Sequence, residues 1–211
     1  MPTANELIKN NNGERAKVKF KVSALLKMNA LVKHYTTEVA WHCLVDRIAG
    51  SEFIVEDVLV FPQANTAAST RTDQEEYQAW LEKLWESGEL ICRLYAHSHV
   101  NMGVSPSGFD AEKMDATIKN IGGARDDYDN FYMFMIMNKR NDMFIAIFDN
   151  QNNIAYGNSL IDTEVVFDDG TPMDEYLKDA CQIIESSVLN HKQDNTQNEE
   201  KKECQLTFQN Q

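Results

Sequence analysis

Polar and apolar residues alternate along Lys17-Val18-Lys19-Phe20-Lys21-Val22, the period-two pattern of a half-exposed strand with Val18, Phe20 and Val22 turned off the lysine face. The period then lengthens. Ser23 reads as the cap of a helix over residues 24–35, whose stripe is Leu25, Met28, Leu31 and Val32. Residues 38–48 are β-branched and aromatic, a strand opened by Glu38. Ala49-Gly50-Ser51-Glu52 turns the chain into a second strand over 53–61, ended by Pro62. A loop of small and polar residues covers 63–71. Thr72 with Glu75 forms a capping box for a helix through Trp85, with Tyr77, Trp80, Leu81, Leu84 and Trp85 as its buried stripe and Gly88 as its stop. Residues 90–96 read as a buried strand. A further helix runs from about Gly108 to Ile121, with Met114, Thr117, Ile118 and Ile121 on one face. Residues 131–137 and 143–148 form a hairpin around Asn138-Lys139-Arg140-Asn141-Asp142, and a third strand starts near Ile154. One more strand is expected over 160–167 and a helix over 173–190.

The predicted class is α/β. The expected layout is a loose leader over 1–16, one core domain over 17–160, a strand and helix over 161–190 packed on it, and a disordered polar tail over 191–211. Composition changes this picture little: 43% of the 211 residues are hydrophobic and 25% charged, as in ordinary globular proteins. Net charge matters more. At −13 with no basic stripe, it argues against a nucleic-acid partner. Cys43, Cys92, Cys181 and Cys204 lie far apart, a usage suited to a reducing compartment. The start has no apolar signal region and no run approaches membrane-spanning length, so the expectation is a cytoplasmic protein without a membrane partner.

The chemistry concentrates in His97-Ser98-His99 and Ser107-Gly108-Phe109-Asp110. Two residues apart at the end of a strand, His97 and His99 project from one face. Asp110 stands in the first turn of the next helix. Two imidazoles and a carboxylate make three metal ligands, and a fourth tetrahedral position is left for water, as in catalytic rather than structural zinc sites. Singly, an H-x-H pair is a weak signal and S-x-x-D is usually a capping box. Together, the chance of H-x-H-x7-S-x-x-D in a sequence of this composition is on the order of a few in ten thousand.

This pattern, with a Glu upstream, resembles the signature of the JAMM metallopeptidases, also called the JAB or MPN-plus family. The resemblance covers roughly residues 17–160. It implies a cytidine-deaminase-like JAB/MPN fold, a curved and mostly antiparallel sheet flanked by helices. It also implies Zn2+ held by His97, His99 and Asp110, with Glu38 as the acid/base and Ser107 as the group that steadies the oxyanion. The implied function is hydrolysis of amide or isopeptide bonds in a protein or peptide substrate, including the tail of a ubiquitin-like protein. Trp41-His42 stands where family members often have Gly, and Val100 where they often have Pro; neither position supplies a ligand. The segment 122–130 is short, which points to a prokaryotic or phage-like member. The alternatives are a non-catalytic MPN-type scaffold or a virion assembly protein. A zinc deaminase would need H-x-E with P-C-x-x-C, and neither occurs.

Overall fold

In the computed structural model the described residues are 13–66, 69–71, 74–86, 92–121, 130–170 and 172. Along the sequence they form β1 (Ala16–Lys21), α1 (Val22–His34), β2 (Ala40–Ala49), β3 (Glu52–Leu59), β4 (Ala64–Thr66), β5 (Ser69–Arg71), α2 (Gln74–Glu86), β6 (Leu94–Ser98), α3 (Gly108–Ile121), β7 (Phe131–Met137), β8 (Met143–Asp149), β9 (Ile154–Tyr156) and β10 (Ile161–Val166). Eight strands make one sheet in the order β10-β1-β3-β2-β6-β7-β8-β9. The pairs β10/β1, β1/β3 and β6/β7 are parallel and the other four are antiparallel. The α/β class expected from the hydrophobic pattern is what is observed, and the sheet is mixed.

Helices cover this sheet on both faces, which explains why several strands read as continuous apolar runs. On one face Met28 and Val32 of α1 join Trp41, Phe53, Val55, Leu94, Met133 and Met135 in the main core. On the other, Met114 and Ile118 of α3 pack with Phe134, Ala146, Phe148 and Ala155. β7 feeds both cores alternately, so all but one of its seven side chains are buried.

Local reading and tertiary structure part at four places. Val22 starts α1 instead of ending β1, and Ser23 does not cap the helix: its hydroxyl donates to Asp168 at 2.8 Å. Asp168 reaches this spot because β10 runs parallel beside β1. Glu38 stands two residues before β2 rather than as its first residue. The loop expected over 63–71 contains a two-stranded ribbon, β4 with β5, which small polar residues do not announce by alternation. Finally β6 is shorter than expected and ends on Ser98, with His97 inside the strand and His99 just past it. The lysine face of β1 is as expected: Lys17 pairs with Glu164, Lys19 with Glu52 and Lys21 with Glu56. Such partly exposed pairs add little stability but favour one strand register.

The leader up to residue 12, Thr72 of the expected capping box, Gly88, and the helix and tail from 173 onward lie outside the described residues. The protein divides into two units, Met1–Pro172, which carries the sheet, and Met173–Gln211. Among the described residues no helix is long and apolar enough to cross a membrane.

Candidate metal centre

β6 and β7 are parallel neighbours joined through α3, a βαβ unit. The site forms where such units commonly place one, at the carboxyl end of a strand and the amino end of the following helix. On β6, Tyr95 and His97 face α3, and Ala96 faces the main core. Just beyond the strand, His99 donates its backbone N–H to Met137 O at 2.9 Å, so it continues the ladder and stays on the His97 face.

Asp110 meets both histidines. His97 Nε2 lies 3.1 Å from Asp110 Oδ1, and His99 Nε2 lies 3.6 Å from Asp110 Oδ2. The donor atoms of the three residues all lie within 4.8 Å of one another. Two ligands about 2.05 Å from a tetrahedral zinc are separated by about 3.4 Å, so the two His–Asp distances match a ligand shell. The tautomer of His99 also fits. Its Nδ1 lies 2.7 Å from Gly103 O. A carbonyl can only accept, so Nδ1 carries the hydrogen and neutral His99 presents a lone pair on Nε2, the metal-facing atom. These three residues can therefore hold a divalent metal ion, and they are the one such group among the described residues.

Gly103 is held in place by the loop after His99. Met102 N–H donates to His99 O at 2.7 Å, Lys139 N–H to Val100 O at 2.8 Å, and Asn138 Nδ2 to Met102 O at 2.9 Å. This tight path puts Val100 at φ 43°, a region that β-branched residues rarely occupy, and the surrounding bonds hold it there.

S-x-x-D is a capping box here and more. Asp110 N–H donates to Ser107 Oγ at 3.2 Å, while Ser107 N–H and Oγ–H donate to Asp110 Oδ2 at 2.7 and 2.6 Å. One carboxylate thus ties down the helix start and faces both histidines. Burial pushes its pKa up, but the hydrogen bonds from His97 and Ser107 and the charge of His97 outweigh that and hold it well below the usual carboxylate range. Ser107 itself is exposed, and its hydroxyl is engaged by Asp110.

Glu38 joins the group from just before β2. Ala40 pairs with His97, and Ser98 N–H donates to Val39 O at 2.8 Å, so the antiparallel register brings Glu38 opposite His99. Glu38 is 8% exposed. Burial pushes its carboxyl up from the ordinary value, His97 and His99 pull it down, and Asp110 adds a push upward. All five residues singled out in the sequence therefore gather in one place. His42, on the same face two residues beyond Ala40, does not serve the site. Its Nδ1 faces Leu94 O at 3.3 Å and its Nε2 faces Tyr77 Oη at 2.7 Å, and burial among aromatic rings lowers its pKa to about 4.

Three contributors escape motif reading. Ser98 staples the segment carrying Glu38 to the histidines: its Oγ accepts the Val39 N–H at 3.0 Å. Gly103 acts through its carbonyl, which no side-chain pattern reveals. Lys113 lies over the Tyr95 ring, Nζ 3.6 Å from the centroid, and with Tyr95, His97 and Asp110 it lines a narrow crevice between α3 and the sheet. Its position three after Asp110, on the same helix face, is the one sequence signal for it.

No protein-family model and no curated protein matches this sequence. Among solved structures it is similar to the solution structure of protein DSY2949 from Desulfitobacterium hafniense, at 14% identity and a TM-score of 0.46, over 71% of this protein and 94% of that one.

Proposed function

We propose that the protein is a zinc-dependent hydrolase of amide or isopeptide bonds, of the JAMM type and with the corresponding JAB/MPN fold. The observation that carries this reading is the convergence of His97, His99 and Asp110 at ligand-shell spacing with Glu38 beside them. Two nitrogens and a carboxylate oxygen suit zinc, and three protein ligands leave a position for water or substrate. Zinc, when bound, supplies a Lewis acid and makes hydroxide available near neutral pH.

The protein's own residues then divide the work. Glu38 takes the proton of the attacking water and returns it to the leaving amine, which needs a carboxylate near the metal ligands but outside their set. Ser107, exposed at the helix start, turns its hydroxyl from Asp110 to the developing oxyanion. Gly103 O keeps His99 in the binding tautomer. Phe109, 71% exposed, and Met102, 51% exposed, lie on the segment between the ligands and offer apolar surface to a polypeptide. The substrate is a protein or peptide, with the tail of a ubiquitin-like protein among the candidates.

Metal content measured together with hydrolysis of a tail-fusion substrate tests this. Wild type should carry about one zinc per protein molecule, and His97→Ala or Asp110→Ala should lose it. Glu38→Gln should keep the zinc while hydrolysis falls by about a hundred- to ten-thousand-fold. Full zinc retention in both ligand variants overturns the site. Loss of zinc in Glu38→Gln makes Glu38 a ligand, and unchanged turnover assigns the proton work to another group.

A further inference from the structure

The loop between the metal ligands is fixed at both ends and loose in its own sequence at the tip. His99 continues the ladder onto β7, and Asp110 is tied to the start of α3. Asn101, Met102 and Gly103 are exposed. Gly103 has open space around it among the described residues, and glycine has the widest backbone freedom of any residue. Yet its carbonyl makes the 2.7 Å bond that sets the tautomer of His99. A support from outside the loop is needed to hold that carbonyl still.

The chain around the turn from β7 to β8 supplies it. Three consecutive residues each hold the loop. Met137 O accepts the His99 N–H at 2.9 Å, Asn138 Nδ2 donates to Met102 O at 2.9 Å, and Lys139 N–H donates to Val100 O at 2.8 Å. Met102 is held at both backbone groups, since its own N–H donates to His99 O at 2.7 Å. The planar peptide that leads into Gly103 is therefore fixed in orientation.

Asn138 is fully buried and its amide is fully used. Oδ1 accepts from the N–H groups of Arg140 and Asp142, each at 3.0 Å. Nδ2 donates to Met102 O and, at 2.8 Å, to Asp142 Oδ2. The two accepted bonds shape the turn, and any short side chain with an oxygen suffices for that. The bond to Met102 needs a donor. An aspartate in its place would set an acceptor against the Met102 carbonyl. The turn alone thus does not account for an asparagine here.

We propose that Asn138 is a positioning residue of the metal centre: through Met102 it holds Gly103 O against His99 Nδ1 and keeps the hydrogen off Nε2. A competing state lies close by. Asp110 Oδ2 is 3.6 Å from His99 Nε2. Once Gly103 O is displaced, the hydrogen moves to Nε2 and donates to Asp110, which closes the site to a metal ion. The gain in metal affinity rests on the metal reading above; the tautomer of His99 does not, and hydrolysis enters neither.

The tautomer is read from long-range 1H–15N correlation spectra of the metal-free, full-length protein at about pH 8, where imidazole is neutral. Zinc affinity is measured by competition with a chelator. Wild type should carry the His99 hydrogen on Nδ1. The decisive variant is an exchange, Asn138→Asp together with Asp142→Asn. It keeps a side-chain hydrogen bond between the two positions with the donor reversed, and it leaves Met102 O facing an acceptor. The hydrogen should shift toward Nε2, and zinc should bind about ten-fold more weakly, the low end of what losing a partner of a metal ligand costs. Asn138→Ser keeps an oxygen for the turn but is too short to reach Met102 O. It should show the same losses, and it carries the test if the exchange variant does not fold. Asp149→Ala, at the far end of β8, is the stability control: its melting temperature should fall with both readouts unchanged.

A wild-type His99 with its hydrogen on Nε2 overturns the inference. An unchanged tautomer and affinity in the exchange variant also overturn it and confine Asn138 to the turn. Equal losses in Asp149→Ala do so as well, because they trace to stability. An Asn138-dependent tautomer in a protein that binds no zinc supports the positioning role and removes the metal reading. Zinc binding with the expected losses but no peptide hydrolysis supports it and removes only the hydrolase.

Discussion

Replacing Ser98 by alanine should disturb the centre without touching a ligand. Ser98 is 1% exposed and Val39 is 2% exposed, and the bond from Val39 N–H to Ser98 Oγ is 3.0 Å long. The substitution removes one oxygen, so the cavity contribution is small. What remains is a buried N–H without its acceptor, which costs about 1–3 kcal/mol. Taking about 2 kcal/mol, and about 2–4 °C per kcal/mol for a domain of this size, the melting temperature should fall by about 4–8 °C. Function should suffer as well, because Val39 adjoins Glu38 and the Ser98 bond holds Glu38 against the histidines. A displacement of the order of 1 Å there can cost about a hundred-fold in rate. Metal content should stay near wild type, since His97, His99 and Asp110 keep their own supports. Urea unfolding and calorimetry on Ser98→Ala and Ser98→Thr measure the stability, and Ser98→Thr, which keeps the hydroxyl, should recover part of both losses. A Ser98→Ala protein within about 0.5 kcal/mol of wild type would show that the hydroxyl bond adds nothing to the fold.

Two further predictions concern buried polar groups. His42 has its pKa lowered from 6.5 to about 4 by burial, so between those values the unfolded protein binds a proton that the folded one refuses. Its contribution is complete above pH 6.5 and is lost as pH falls toward 4; the ring resonances of His42 should not titrate above about pH 5, and a normal midpoint would refute its burial. Asp149 is fully buried and accepts from Arg47 Nη1 at 2.8 Å and from Asn152 Nδ2 at 2.8 Å, while Arg47 also lies over Phe53 and Phe131. Asp149→Ala should cost about 3 kcal/mol in urea unfolding at unchanged metal content, because it removes a fully buried carboxylate from a cation that is itself largely withdrawn from water; a cost under about 1 kcal/mol would mean water or relaxation replaces it.

Local order was legible in the sequence itself because it depends on spacing. The two-residue step of His97 and His99 sets their common face, and the S-x-x-D step sets Asp110 in the first turn of α3, whatever else the protein does. The apolar runs of β7 and β8 and the turn between them follow from the same short-range rules. Glu38 was legible only as a residue type upstream of the motif. It lies 59 positions from His97, and no local pattern measures that separation; the β2–β6 register closes it. The same holds for Ser23, whose hydroxyl left a capping role for Asp168, 145 residues away. Long-range partners win at such places because a hydrogen bond with a distant segment is worth as much as a local one once the sheet has brought the two together, and only the packed sheet decides which segments meet. Lys113 shows the limit most clearly. Its spacing from Asp110 puts both on one helix face, but whether that face meets water or the sheet was decided by Met114 and Ile118 packing against Phe134 and Phe148, and this packing lays the ammonium over the Tyr95 ring.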